Sequence, residues 1–204
     1  KVDSAYELYA GGRQLGGVGA LPPASRLEYD RHATFLVPRD AIDDRGRLVL
    51  AVRVWKAPIT TRWGGGLVEG AFLLGPLDTL ARREAVSEIP EVTLAVLFVL
   101  GGLYHMQLYR RRAELREYFW FGVMAIVAGA YTFLRSQWRF TLPLGFEALK
   151  DVEHVLLYAG GITLVQFVWP LLGRPIGPAL RGFQAVSVAG GALVALPGLR
   201  WNLL

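Results

Sequence analysis

Residues 92–116 read VTLAVLFVLGGLYHMQLYRRRAELR. The 18 residues 92–109 carry no charge, and Arg110, Arg111, Arg112 and Arg116 follow at once. A helix needs about 20 mostly apolar residues, with a range of roughly 17–25, to cross the hydrocarbon core of a bilayer. A surface helix of a water-soluble protein would instead show a polar face. The stretch therefore predicts a membrane span that ends in a cationic turn. Three more uncharged runs follow, at 118–134, 155–173 and 182–199, separated by short charged turns. Together they predict an all-α polytopic transmembrane bundle of four spans over residues 92–204.

The charges are distributed to match. Of 204 residues, 22 are Lys or Arg and 17 are Asp or Glu, for a net charge of +5. Residues 1–88 hold 12 of the basic and 11 of the acidic side chains, and residues 89–204 hold 10 and 6. The first part reads as water-exposed and the second as lipid-exposed, which excludes a single soluble globule and a disordered chain. The basic excess does not point to nucleic acid. It sits in a turn against an apolar run, with no basic stripe of interleaved stacking aromatics. The chain has no cysteine, so disulfide scaffolds, thiol catalysis and zinc–thiolate sites are excluded.

Orientation follows from the short loops. Residues 110–117 carry four arginines, 135–154 carry three Lys or Arg and 174–181 carry two. Positive loops favour the cytoplasm. Arg110, Arg111, Arg112 and Arg116 are thus the topology determinants, and they place residues 1–88 outside the cytoplasmic membrane. Small residues four apart, Ala125 and Gly129 or Ala185 and Ala189, with the pairs Gly101–Gly102 and Gly160–Gly161, read as close-packing patches.

Residues 1–75 read as strands and turns. Gly11 and Gly12 form a hairpin turn between two short strands. LVLAVRVW at 48–55 is the strongest strand, dense in β-branched and apolar residues. Residues 33–37 and 70–74 read as further strands. Five or six strands with Gly/Pro turns predict an all-β jelly roll or β-sandwich, incomplete at its start. Residues 76–91 turn helical, as a linker helix into the first span.

The order of a YAGGR turn at 9–13, the strand 48–55, Leu73-Leu74-Gly75 and then apolar helices resembles two things. The β part is similar to the sugar-binding jelly roll at the front of β-galactosidase-type hydrolases. With VLFVLGGLYHMQLYRRR at 96–112 and YFWFG at 118–122, nearly the whole chain resembles the bacterial seven-transmembrane receptors with diverse intracellular signalling modules. That family has seven spans and more strands, and Lys1 is not a start methionine, so the resemblance implies a fragment. It implies a bacterial inner-membrane receptor that senses a small extracytoplasmic ligand, carbohydrate being one class. It further implies a cytoplasmic effector: a SpoIIE-type serine/threonine phosphatase, a diguanylate cyclase or a histidine kinase. Receptors of this kind often couple as homodimers, although no residue specifies one. The alternative is a membrane-anchored carbohydrate-binding protein without signalling.

No catalytic constellation emerges. There is no nucleophile elbow, zincin motif or phosphate loop, so no catalytic residue, metal ligand or cofactor is expected and the chain is not read as an enzyme. Trp63, flanked by Arg62 and glycines, is the first candidate to stack on a ligand, with Tyr29 weaker. Asp151, Glu153 and His154 form a polar cluster at the outer mouth of the third span. They read either as a solvated cap or as a sensing contact, since histidine changes charge near neutral pH. His105, near the inner end of the first span, reads as an interhelical hydrogen-bonding residue.

Overall fold

The computed structural model describes residues 2–3, 5–26, 28, 31–55, 66–67 and 72–196. The chain divides into two units between Val86 and Ser87.

The first unit is built on a small antiparallel sheet. Strands β2 (Ala5–Ala10) and β3 (Arg13–Val18) form a hairpin. Its turn residues Gly11 and Gly12 have φ of 54° and 82°, the positive pair that a two-residue turn needs to match the strand twist. The register slips between Leu8 and Tyr9, so that Tyr9 faces Gln14 but Leu8 faces Gly16. Leu15 is the extra residue of a bulge. Strand β4 (Leu50–Trp55) pairs with the other edge of β2, from Ala5 opposite Trp55 to Ala10 opposite Leu50. A separate two-stranded ribbon joins β1 (Val2–Asp3) to β5 (Gly66–Leu67).

This corrects the expected jelly roll or β-sandwich. The sheet has three strands in the order β3-β2-β4, with a ribbon beside it and no second face packed on it among the described residues. Among the described residues of this unit the buried apolar ones are Ala5, Ala10 and Val18, too little for the layered core of a sandwich. Residues 33–37, expected as a strand, run without ladder partners up to Pro38. Residues 72–74 likewise form no strand, and Phe72 and Leu74 are exposed. Strands exist only in pairs, and residues 33–37 and 72–74 have no ladder partner among the described residues; Gly70 and Ala71 of the expected strand lie outside those.

Four helices make up the rest: α1 (Leu77–Arg111), α2 (Arg116–Arg135), α3 (Phe146–Leu171) and α4 (Pro178–Ala195). The residues read as linker helix and first span are one continuous helix of 35 residues, with Pro90 inside it. At about 1.5 Å per residue its length is near 52 Å, well beyond a hydrocarbon core of about 30 Å. Its charges fall in the first 15 residues, at Asp78, Arg82, Arg83, Glu84, Glu88 and Glu91, and at its last two, Arg110 and Arg111.

Among the described residues three helices, α1, α2 and α3, are long and apolar enough to cross a membrane. The expected fourth span, 182–199, extends past the described residues; as described, helix α4 has 18 residues, carries Arg181 and Gln184 in its first two turns, and is not one of the three.

The packing is that of a bundle in lipid. Large apolar side chains face outward, among them Leu97, Leu100, Leu103, Leu164 and Val186. The buried positions are mostly small or polar: Ala95 and Gly102 on α1, Gly122, Ala125 and Gly129 on α2, Thr163 on α3 and Ser187 on α4. Helices associate in lipid by close packing of small residues, because burying a leucine gains nothing over leaving it among acyl chains. The chain is a membrane protein.

Candidate functional site

The end of α2, the connector that follows it and the start of α3 hold a buried ionic cluster. Helix α2 stops at Ser136, whose hydroxyl donates to the Phe133 carbonyl at 2.8 Å. The chain then makes a 3₁₀ turn, Gln137–Thr141. That turn sends Arg139 back under the helix end, where its side chain is 2 % exposed. Its Nη1 donates to the Leu134 carbonyl at 2.9 Å. Such a carbonyl has no partner within its own helix, and a cation there suits the negative end of the helix dipole.

Glu153, two turns into α3 and just before its uncharged run, is the counter-charge. Its Oε2 lies 2.7 Å from Lys150 Nζ and 3.7 Å from Arg139 Nη1, and its Oε1 lies 3.4 Å from Arg135 Nη1. The Glu153 side chain is 9 % exposed, whereas Arg135 is 55 % exposed and presents its guanidinium outward. A fourth element joins in. Glu88 Oε2 of α1 accepts the Gln137 backbone N–H at 2.7 Å. Charges placed near lipid are held only when paired, and this one carboxylate ties α3 to α2 and to the connector.

The residues singled out from the sequence fare differently. Arg62, Trp63 and Tyr29 lie outside the described residues. Of Asp151, Glu153 and His154, only Glu153 enters the cluster. Asp151 and His154 are half-buried on other flanks of α3, and His154 Nδ1 lies 2.7 Å from the Lys150 carbonyl. Arg110, Arg111, Arg112 and Arg116 are all exposed at the α1–α2 turn. His105 Nδ1 contacts the Gly101 carbonyl at 2.8 Å, and its ring packs 4.2 Å from Phe121. Phe121 in turn meets Phe167 of α3 at 5.2 Å.

Sequence reasoning missed Arg135, Arg139 and Lys150 as partners of Glu153, having counted them only as loop charges. The Lys150–Glu153 spacing of three, on one helix face, was the available signal. Nothing local indicated that Arg139 turns back.

The first unit holds a polar hollow of about 360 Å³ beside the hairpin. Tyr6, Glu7, Gln14 and Arg53 line it, with Leu21 and Pro22 at the rim. Glu7 and Arg53 are direct cross-strand partners, 3.5 Å apart. The Tyr9 hydroxyl donates to Glu7 Oε2 at 2.8 Å, which raises its pKa above 10.0. Burial raises that of Tyr6, so both phenols are neutral donors at physiological pH. Such a lining can hydrogen-bond a small polar molecule.

No protein-family model, curated protein or solved structure matches this chain.

Proposed function

We propose that this chain is the sensing and membrane-spanning part of a bacterial inner-membrane signal receptor. In this reading residues 1–76 lie outside the cytoplasm and the arginine-rich α1–α2 turn lies inside. The polar hollow takes a small polar ligand, a carbohydrate being one class whose hydroxyls suit Glu7, Gln14 and Arg53. Output passes to a cytoplasmic effector, in the same polypeptide or bound to it. The resemblance to seven-transmembrane receptors with diverse intracellular signalling modules supports this reading.

The observation that carries it is α1. One helix bears the charges of a water-exposed segment in its first turns and an uncharged span of 18 residues after them. A displacement of its first turns reaches the Arg110–Arg112 end without a joint other than Pro90. A ligand can shift such a helix only by binding two states with different affinity.

The test is a fusion of the chain to a reporter enzyme at its cytoplasmic end, in cells given a panel of monosaccharides and amino acids. Output is expected to change with at least one compound, and Arg53→Ala and Glu7→Gln are expected to abolish that change. A flexible Gly-Ser insertion after Ser87 should abolish the response while leaving binding intact. If a compound binds and output stays flat, the chain is a membrane-anchored binding protein, and the signalling proposal is wrong; a response that survives the insertion overturns transmission through α1.

A further inference from the structure

The two ends of the helical unit carry opposite charge. Phe121 near the start of α2 meets Phe167 near the end of α3 at 5.2 Å, so the α1–α2 turn and the α3–α4 turn share one end. Among the described residues that end holds Arg110, Arg111, Arg112, Arg116, Arg174 and Arg181 against Glu114 and Glu117. The other end holds Arg135, Arg139 and Lys150 against Glu88, Glu91, Glu147, Asp151 and Glu153. The ends also differ in how their charge is met. The acidic end is paired within itself around Glu153. At the arginine end all six arginines are exposed. Among the described residues none of them makes an ion pair, with Glu114 and Glu117 included.

The position of these arginines decides what faces them. Arg110 follows directly on the uncharged residues 92–109, and Arg116 comes two residues before the uncharged run 118–134. Aromatic rings mark the same level. Tyr109 packs on Phe119 at 5.3 Å and Phe119 on Trp120 at 5.2 Å, and Trp169 is half-buried in the last turn of α3. Tyrosine, tryptophan and arginine collect where acyl chain gives way to headgroup. The medium beside the turn is therefore the headgroup layer. A basic cluster immediately beyond a span attracts anionic lipid, and the guanidinium fork matches phosphate oxygens.

We propose that the arginine end of the bundle is a docking surface for the headgroups of anionic phospholipids in the adjoining leaflet. The cations that find no carboxylate in the protein take phosphate from the lipid, and their excess over Glu114 and Glu117 selects a negative headgroup over a zwitterionic one. The acidic end of the bundle recruits no such lipid. This holds whatever the first unit binds and whichever side of the membrane the turn faces.

The test is native mass spectrometry of the purified full chain in a neutral detergent. It is titrated with phosphatidylglycerol or with phosphatidylcholine of the same acyl chains. One arginine beside an anionic surface is worth about fivefold in binding, so phosphatidylglycerol is expected to bind at least about tenfold more tightly. Arg110→Gln, Arg111→Gln and Arg112→Gln together should cut that preference by at least about fivefold and leave phosphatidylcholine binding unchanged. Arg112→Gln with Arg116→Gln serves if the triple variant does not fold. Arg82→Gln with Arg83→Gln removes exposed charge from the first unit and should leave the preference intact. Equal binding of the two lipids overturns the proposal, as does a preference that the turn variants keep or that the first-unit variant removes. Displacement of phosphatidylglycerol by an equal concentration of inorganic phosphate overturns it in favour of a free-anion site. Displacement by an equal concentration of an oligoglutamate peptide overturns it in favour of an acidic protein segment.

Discussion

Glu153 carries more structural consequence than any other single side chain. It is the shared counter-ion of Arg135, Arg139 and Lys150. Removing one member of a buried ion pair costs about 3–5 kcal/mol, because the remaining charge keeps its desolvation penalty without its partner. Glu153→Ala is therefore expected to lower thermal stability in detergent by about 3 kcal/mol or more. Asp151→Ala, one helix flank away, is expected to fall within about 0.5 kcal/mol of the wild type. If the two variants melt alike, the cluster is not a structural clasp. Asp43 makes a different point. Its carboxylate accepts the Arg47 N–H at 2.8 Å and the Arg45 N–H at 3.0 Å, and the bond from Arg47 is the leading cause of its lowered pKa. With the folded value below the ordinary 3.8, the stabilisation is fully present above 3.8 and is lost as pH falls through the lower folded value. Amide exchange at Arg45 and Arg47 should accelerate only in that acid window, and Asp43→Asn should abolish the transition. At this scale the sequence was partly legible. The turn around Asp43 follows from its residue types, whereas Glu153 reads as one of three neighbouring polar residues until the fold shows which flank of α3 faces inward.

Among the elements, α1 and α2 are matched antiparallel along a ladder of small residues. A Cβ added at Gly102 would lie 2.7 Å from the Gly122 carbonyl oxygen, and one at Gly129 would lie 2.8 Å from that of Ala95. The contacts repeat every seven residues on each helix, on one face of each. Gly122→Val is expected to destabilise the helix pair by about 1–3 kcal/mol, the usual effect of overpacking. Ala185→Val, on the exposed side of α4, should be neutral. Both can be read from thermal melts in detergent. The small-residue spacing marks candidates but not faces: Ala125 and Gly129 are buried at the contact, while Ala185 and Ala189 are exposed. Apolar run length predicted the helices well, because lipid sets a minimum length that composition must satisfy. The sandwich failed because a strand is defined by its partner, which no local pattern supplies. Pro90 is the element's weak point. It cannot donate to the Val86 carbonyl and its ring crowds it, and the division between the two units falls at the same residue. Pro90→Ala should stiffen α1 there, seen as slower amide exchange over residues 87–91.

For the whole molecule, the helix order sets a parity that does not depend on the sign of any loop. If α1 and α2 each cross the bilayer once, the connector at 136–145 returns to the side of residues 1–76, and the α1–α2 turn lies on the other. In the proposed orientation, the arginines at 110–112 and 116 put that other side in the cytoplasm. The ionic cluster at the α2–α3 junction and the His105–Phe121–Phe167 contacts accordingly lie toward opposite ends of the bundle. Because the chain lacks cysteine, single cysteines can be introduced without a background. Asp44→Cys and Trp138→Cys should react with an impermeant maleimide in intact cells. Arg111→Cys should react only after the membrane is opened. Labelling of Asp44→Cys and Arg111→Cys from the same side would mean that α1 does not span. Labelling of Trp138→Cys opposite to Asp44→Cys would mean that α2 does not.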